Sequence, residues 1–116
     1  MKPKIYVAGP YTKGDVILNV RHAVEVGDYI VSLGGVPYVP HITMLWHTIS
    51  PHDIDFWYDY DLEWLKSCSA LYRIEGESTG ADREVDHARS LSIPVFIGEP
   101  QGMGQLRIWI RERGNR

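Results

Sequence analysis

The sequence predicts a single α/β domain built on a small sheet of parallel strands with helices on both faces. Short apolar runs rich in β-forming residues alternate along the chain with longer segments whose apolar residues recur every three to four positions. This alternation is typical of parallel strands joined by right-handed helical crossovers. The chain has 116 residues and no internal repeat or linker, so we expect residues 1–116 to form one domain.

The pattern predicts four strands and four helices and leaves one irregular segment at residues 42–53, which contains Trp46, His47 and His52. In chain order the predicted elements are strand 4–8, helix 16–33, strand 36–39, helix 55–67, strand 70–74, helix 79–91, strand 94–97 and helix 104–113.

The ends of the first elements carry recognisable signals. Asp15 is a candidate N-cap for the first helix, and Gly34 follows its last turn, as glycine commonly does. Pro37 lies in the second strand and has no N–H to donate to a neighbouring strand. We therefore expect the second strand at an edge of the sheet.

The second half of the chain is organised around the unit from Ser69 to Phe96, which holds two strands and the helix between them. Residues 98–104 then predict a mobile connection to the last helix. The helix inside the unit has an apolar stripe suited to packing on a sheet, formed by Ala81, Val85, Ala88 and Leu91. The last helix carries Leu106, Ile108, Trp109 and Ile110.

Small and polar residues follow three of the predicted strands. Gly9-Pro10-Tyr11 follows the first strand, His41 follows the second, and Gly76–Gly80 follows the third. A flavodoxin-like strand order, 2-1-3-4, would bring the ends of the first and third strands side by side. Because ligands bind such sheets at the carboxyl ends of the strands, the sequence predicts a site there.

Glu84 is the first candidate for chemistry at this site. It lies three residues after Ala81 and four before Ala88, so it borders the apolar stripe of its helix, near a glycine-rich opening. A carboxylate held at the packed edge of a helix can take part in a reaction. The alternative interpretation is that Glu84 only complements the positive end of the helix dipole.

Asp61 is the second candidate. It is the only charged residue on one face of the 55–67 helix, whose other members are Trp57, Trp64, Leu65 and Cys68. Apolar surroundings favour the neutral form of a carboxyl, which a general acid needs near neutral pH. The alternative is that Asp61 belongs to the solvated acidic group at the start of this helix, which comprises Asp53, Asp55, Asp59 and Glu63.

Two carboxylates on different elements suggest chemistry at a glycosidic bond, where one stabilises or attacks the sugar and the other handles the proton of the leaving group. The chain also resembles the nucleoside 2-deoxyribosyltransferase superfamily over about residues 4–98, and within it the 2′-deoxynucleoside 5′-phosphate N-hydrolases and small phage and bacterial relatives. The segments that carry the resemblance are Tyr6–Pro10, Pro40-His41, Asp61–Leu65, and Ser78–Glu84 with Ala88.

The resemblance implies a role for five residues at matching positions. Glu84 would be the nucleophile that forms a glycosyl-enzyme ester, and Asp61 would protonate the departing base. Tyr6 would orient the nucleophile. Ser78 would bind a 5′-phosphate, as in the hydrolase branch, and His41 would lie near the sugar or the base.

Further residues are predicted to contact the substrate because they share the same loops. These are Gly9, Pro10, Tyr11, Lys13, Thr79 and Gly80. The loop after the first strand departs from the hydrolases, which have a shorter turn with an arginine, and Lys13 could supply that charge. The 42–53 segment has no counterpart in the superfamily and is expected to shape base specificity.

Composition limits the other classes of function. A net charge of −3 without a basic block argues against a nucleic acid polymer as partner. The sequence has no long apolar run and no signal segment, so we expect no membrane partner and a cytoplasmic protein. The spacing of His41, His47, His52 and Asp53 fits no zinc pattern, and the Gly9–Gly14 loop lacks an ATP-binding pattern. No metal and no cofactor is therefore predicted.

Two functions from different classes follow. The first is cleavage or transfer of an N-glycosidic bond in a (deoxy)nucleoside or its 5′-monophosphate. The second is a binding module that senses a nucleotide or nucleotide sugar without turnover. The aromatic surface of the 55–67 helix and of the last helix, together with the resemblance, predicts a homodimer or higher homo-oligomer.

Overall fold

Four parallel strands form one sheet in the computed structural model, which describes residues 1–114. The strands are β1 (Lys4–Ala8), β2 (Val36–Tyr38), β3 (Ala70–Arg73) and β4 (Val95–Ile97), and they lie in the order β2–β1–β3–β4. The helices are α1 (Val16–Ser32), α2 (Thr43–Ile49), α3 (Ile54–Lys66), α4 (Thr79–Ser90) and α5 (Met103–Gly114). The predicted flavodoxin-like α/β fold and strand order are confirmed, with β2 at an edge.

The two faces of the sheet bury two separate hydrophobic clusters, which gives the predicted three layers. Along β1, Ile5 and Val7 point to one face while Tyr6 and Ala8 point to the other, because side chains alternate along a strand. The first face packs against α1 and α5 through Ala23, Val26, Ile30, Met103, Leu106 and Ile110. The second packs against α3 and α4 through Leu65, Ala81, Val85 and Ala88.

Close approach of α1 to the sheet depends on a glycine. A Cβ atom added at Gly27, in the middle of this helix, would lie 2.8 Å from Cγ2 of Val39. Gly27 is buried, so this space is not available to a larger side chain. The position explains why a helix of 17 residues tolerates glycine at its centre.

The prediction that residues 42–53 are irregular is wrong for the first half of that segment. A 3-10 turn, Pro40–Ile42, and helix α2 occupy it. Helix α2 buries none of its side chains, although Ile42, Leu45, Trp46 and Ile49 recur at three- and four-residue steps that are compatible with a helix. Apolar side chains exposed on and beside α2 are Ile42, Leu45, Trp46, Ile49 and Ile54.

Three predictions about the last third of the chain also need correction. Residues 98–102 form a tight turn in which Gly98 and Gly102 are buried, and they offer no sign of a mobile connection. In α5, Leu106 and Ile110 pack into the core rather than on an outer surface, while Trp109 packs against Phe96 at a ring distance of 6.0 Å. In α4, Leu91 follows the last helical residue and is exposed, so it does not extend the apolar stripe.

No helix in the part of the chain that the structure describes is long and apolar enough to cross a membrane.

Candidate active site

A cavity of about 600 Å³ lies at the carboxyl ends of β1 and β3, where the sequence predicts a site. Most of the predicted site residues line it, namely Gly9, Tyr11, Lys13, His41, Asp61, Ser78, Thr79, Gly80 and Glu84. Tyr6 and Pro10 do not line the cavity but contact residues that do. The volume is within the range of small-molecule sites.

The buried side chain of Tyr6 holds Glu84, which lines the cavity. The Tyr6 hydroxyl donates a hydrogen bond to Oε2 of Glu84. Tyr6 is fully buried in the middle of the sheet, and Glu84 is only 9% exposed. The carboxyl group therefore has one fixed partner in the described structure, which restricts its rotamer.

Asp61 is held in a parallel way by Tyr38, which the sequence analysis did not single out. The Tyr38 hydroxyl donates to Oδ1 of Asp61 over 3.0 Å. Asp61 is partly buried and lines the same cavity as Glu84. The two carboxyl groups thus open onto one space from α3 and α4, which is the arrangement that chemistry at a single bond requires.

Burial shifts both carboxyl groups towards their neutral forms. It raises the pKa of Asp61 to about 6 although the Tyr38 hydrogen bond lowers it, so the predicted direction agrees. Burial also raises the pKa of Glu84 to about 8, against the hydrogen bond from Tyr6. A glutamate nucleophile must be ionised, whereas burial favours the neutral form of Glu84. Glu84 lies beyond the first turn of α4, where the helix dipole no longer offsets desolvation.

The start of α4 is fixed by a buried cation. Ser78 is the N-cap, and its Oγ accepts a hydrogen bond from the N–H of Ala81 over 3.1 Å. Arg73, at the end of β3, donates to the carbonyl oxygens of Ile74, Gly76 and Ser78 over 2.6, 3.0 and 3.4 Å. Its guanidinium also pairs with Asp82 at 2.8 Å. The turn that lines the cavity is therefore tied to the sheet.

Lys13 does not offer a free charge to the cavity. Its Nζ lies 3.6 Å from a carboxylate oxygen of Glu77, and both side chains are mostly exposed. Such a pair contributes little stability because water screens it. It does connect the loop after β1 with the turn after β3 across the opening of the cavity.

His41 joins the loops that follow β1 and β2. Its Nε2 lies 2.9 Å from the carbonyl oxygen of Pro10, so Nε2 carries a hydrogen and donates it. The ring is only 4% exposed, and burial lowers the pKa of His41. The neighbouring Gly9 has no room for a side chain, since a Cβ there would lie 2.9 Å from Cβ of Ile74. His41 is therefore a neutral wall residue held in one orientation.

An aromatic group from α2 and α3 forms the opposite wall. Nδ1 of His47 accepts hydrogen bonds from the indole N–H of Trp57 over 2.8 Å and from the N–H of His52 over 3.3 Å. Trp57 contacts the rings of Trp46 and Tyr60 edge to face. His47, His52 and Trp57 line the cavity, so the 42–53 segment and α3 together supply an aromatic wall.

Helices α3 and α4 are clamped together beside the cavity. The guanidinium of Arg83 lies 3.7 Å from the centre of the Tyr58 ring, a distance typical of a cation–π contact. Tyr58 lines the cavity and lies three residues before Asp61 on α3. The contact therefore couples the two elements that carry the candidate carboxyls.

Metal ligation has no support in residues 1–114, where no group of three or more histidine, cysteine, aspartate or glutamate side chains is placed to hold an ion. The residues considered from the sequence have other contacts. His41 binds the Pro10 carbonyl, His47 binds Trp57, and Asp53 caps α3 by accepting from the N–H of Phe56.

A family model described as "Domain of unknown function (DUF7768)" matches residues 3–97. The chain belongs to this family. The matched range contains every residue of the candidate site, from Tyr6 to Glu84, and excludes α5. No curated protein matches the chain.

The DUF7768 chain is similar in structure to a 2-deoxyribosyltransferase from the psychrotolerant bacterium Bacillus psychrosaccharolyticus. The TM-score is 0.63 and the identity 22%, and the match covers 81% of this chain and 70% of the transferase. At this identity the likeness shows that the two proteins share a fold.

Two residues of the candidate site, Tyr38 and Arg73, are not predicted from the sequence. The available signal for Tyr38 was a tyrosine at the third position of each of the first two strands, which the register of β1 and β2 places side by side. For Arg73, a charged residue at the end of an otherwise buried strand was the available signal. His47 belongs to the 42–53 segment that is expected to shape base specificity, and it lines the cavity.

Proposed function

We propose that this protein cleaves or transfers the N-glycosidic bond of a (deoxy)nucleoside or of its 5′-monophosphate, with Glu84 as nucleophile. The observation that carries the proposal is the pair of carboxyl groups, Glu84 and Asp61, which open onto one cavity and are each held by a tyrosine hydroxyl. The fold shared with a 2-deoxyribosyltransferase supports the same class of reaction.

The reaction would proceed in two displacements at the anomeric carbon of the sugar. An oxygen of the Glu84 carboxylate attacks that carbon while the bond to the base nitrogen breaks and its electron pair stays on the base. Asp61 gives its proton to the departing base. Water or a second base then attacks the same carbon, gives a proton to Asp61, and releases Glu84.

This mechanism needs Glu84 ionised and Asp61 protonated, which is the reverse of the order of their pKa values. With a pKa of about 8 for Glu84 and about 6 for Asp61, a single proton is shared between the two groups near pH 7 and resides mainly on Glu84. The reactive arrangement is the minor one, at a level of about 1%. A positive charge that develops on the sugar would favour it in the transition state.

The cavity walls suit a nucleoside better than a polymer. A base can stack on the rings of Trp57 and His52. The Ser78 hydroxyl and the first N–H groups of α4 can donate hydrogen bonds to the sugar or 5′-phosphate end of the ligand. Lys13 is the only lysine or arginine among the lining residues, and it is paired with Glu77.

A second candidate function is binding without turnover, as in a sensor of a nucleotide or nucleotide sugar. The raised pKa of Glu84 favours it, because a neutral carboxyl group can donate and accept hydrogen bonds but attacks poorly.

The test is the release of free base from a panel of nucleosides and 5′-monophosphates, followed by chromatography with and without a second base. Base release that Glu84→Gln abolishes, while ligand binding by calorimetry persists, is the expected result. Asp86→Asn, an exposed position on the same helix, is the control and should retain activity. A new nucleoside formed in the presence of the second base identifies transfer, and ligand binding without base release by the wild type would favour the sensor.

A further inference from the structure

Tyr38 and Tyr6 form a matched pair that holds the two carboxyl groups of the cavity. Strands β1 and β2 are parallel, and their register places Tyr6 directly beside Tyr38. The ring centres are 5.5 Å apart, and both rings lie on the face of the sheet that packs against α3 and α4. Each hydroxyl reaches a different carboxyl group, Glu84 for Tyr6 and Asp61 for Tyr38.

Helix α3 contacts Tyr38 at two points. Asp61 accepts its hydrogen bond, and Trp64, three residues later on the same helix face, stacks on its ring with centres 5.3 Å apart and planes 15° apart. A ring that is stacked on one side and hydrogen-bonded at its tip has few alternative rotamers. The position of the hydroxyl relative to Asp61 is therefore set by both elements.

We propose that Tyr38 is a positioning residue that decides which oxygen of Asp61 carries the acidic proton. Tyr38 donates to Oδ1, and a carbonyl oxygen accepts a hydrogen bond better than the hydroxyl oxygen of a carboxylic acid does. Protonated Asp61 therefore carries its proton on Oδ2. As a role in catalysis this rests on the function proposed above, in which Asp61 protonates the departing base.

The surrounding charges keep Tyr38 a donor. The ionisable groups that face it and Asp61 are Tyr6 on β1, Glu84 on α4 and Tyr60 on α3. Burial and the carboxyl of Asp61 raise the pKa of Tyr38, so its hydroxyl stays protonated. In return the hydrogen bond lowers the pKa of Asp61 against the larger effect of burial.

The experiment compares Tyr38→Phe with the wild type and with Tyr29→Phe, which removes a hydroxyl from the exposed side of α1. Titration of the Asp61 carboxyl carbon by NMR should show its midpoint move upward by about 1 pH unit in Tyr38→Phe but not in Tyr29→Phe, because a hydrogen bond to the ionised form is lost only in the former. Trp64→Leu, which loosens the ring without removing the hydroxyl, should give a smaller movement in the same direction.

Kinetics separates positioning from a structural role. In Tyr38→Phe, kcat should fall about tenfold more for substrates with a poor leaving base than for those with a good one, while KM changes little, since only the former need a well-directed proton. An unmoved Asp61 titration, or equal losses for both kinds of base, would overturn the proposal in an active protein. No base release by the wild type would instead overturn the proposed function and this catalytic role with it.

Discussion

Replacing Glu84 by glutamine should stabilise the fold, and the gain should grow as the pH rises. Folding raises the pKa of Glu84 from 4.5 to about 8 by burial, so the folded chain holds a proton that the unfolded chain releases. The stability that this proton supports is complete below pH 4.5 and is lost progressively as the pH rises towards 8. Glutamine has nearly the same shape, keeps an acceptor for the Tyr6 hydroxyl, and does not titrate.

The size of the effect follows from the two pKa values. Between pH 5 and pH 9, the cost of keeping Glu84 buried rises by up to about 4 kcal/mol, a figure that treats the group as the only one that differs between the two proteins. Urea denaturation of the wild type and of Glu84→Gln at both pH values measures the difference directly.

The control is again Asp86→Asn, because Asp86 is exposed on the same helix. Its stability should differ from that of the wild type by only a small amount. If the difference between the wild type and Glu84→Gln is equally flat from pH 5 to pH 9, Glu84 is ionised in the folded protein, and the reasoning from burial is wrong.

The remaining predictions concern the reaction, the packing and the assembly. The rate of base release should be bell-shaped with pH, rising through about 6 and falling through about 8, because one proton must remain on the Asp61–Glu84 pair; a profile without either limb would contradict the shared proton. Ser78→Ala should lower the free energy of unfolding by about 1 kcal/mol through loss of the α4 cap, and it should weaken binding of a 5′-monophosphate more than of the nucleoside; equal losses would mean that Ser78 acts only as a cap. Gly27→Ala should lower the free energy of unfolding, measured by urea denaturation, by about 1–3 kcal/mol. Gly80→Ala should not destabilise its helix, because a Cβ added there would lie in open space. Light scattering at high micromolar concentration should show a homodimer or larger oligomer, because apolar side chains on and beside α2 are exposed; a uniform monomer would refute this.

The fold could be predicted from the sequence because burial leaves a periodic record. Alternate residues of β1 and the three- and four-residue steps of α1 and α4 face the core, and each places apolar residues accordingly. Helix α2 shows the same steps at Leu45, Trp46 and Ile49, but it has only seven residues and buries none of its side chains, so a short apolar run of this kind does not separate a helix from an irregular segment.

The candidate site was predictable only in part, for a related reason. Its location follows from topology, and Glu84 and Asp61 could be chosen from their helix positions. The rise in the pKa of Glu84 could not, because a helix wheel shows that Glu84 borders the packed face but not that it is only 9% exposed. The role of Tyr38 depends on the register of two strands that are far apart in the sequence.

The guanidinium of Arg73 has a consequence for the turn that it holds. It binds the carbonyl oxygens of Ile74, Gly76 and Ser78, and a trans peptide unit directs its N–H opposite its C=O. The N–H groups of the residues that follow each of these three therefore point away from the guanidinium. A buried cation in this way aligns a row of peptide dipoles with their positive ends outward, so the outer side of the turn gains electropositive character from neutral backbone, without a second cationic side chain.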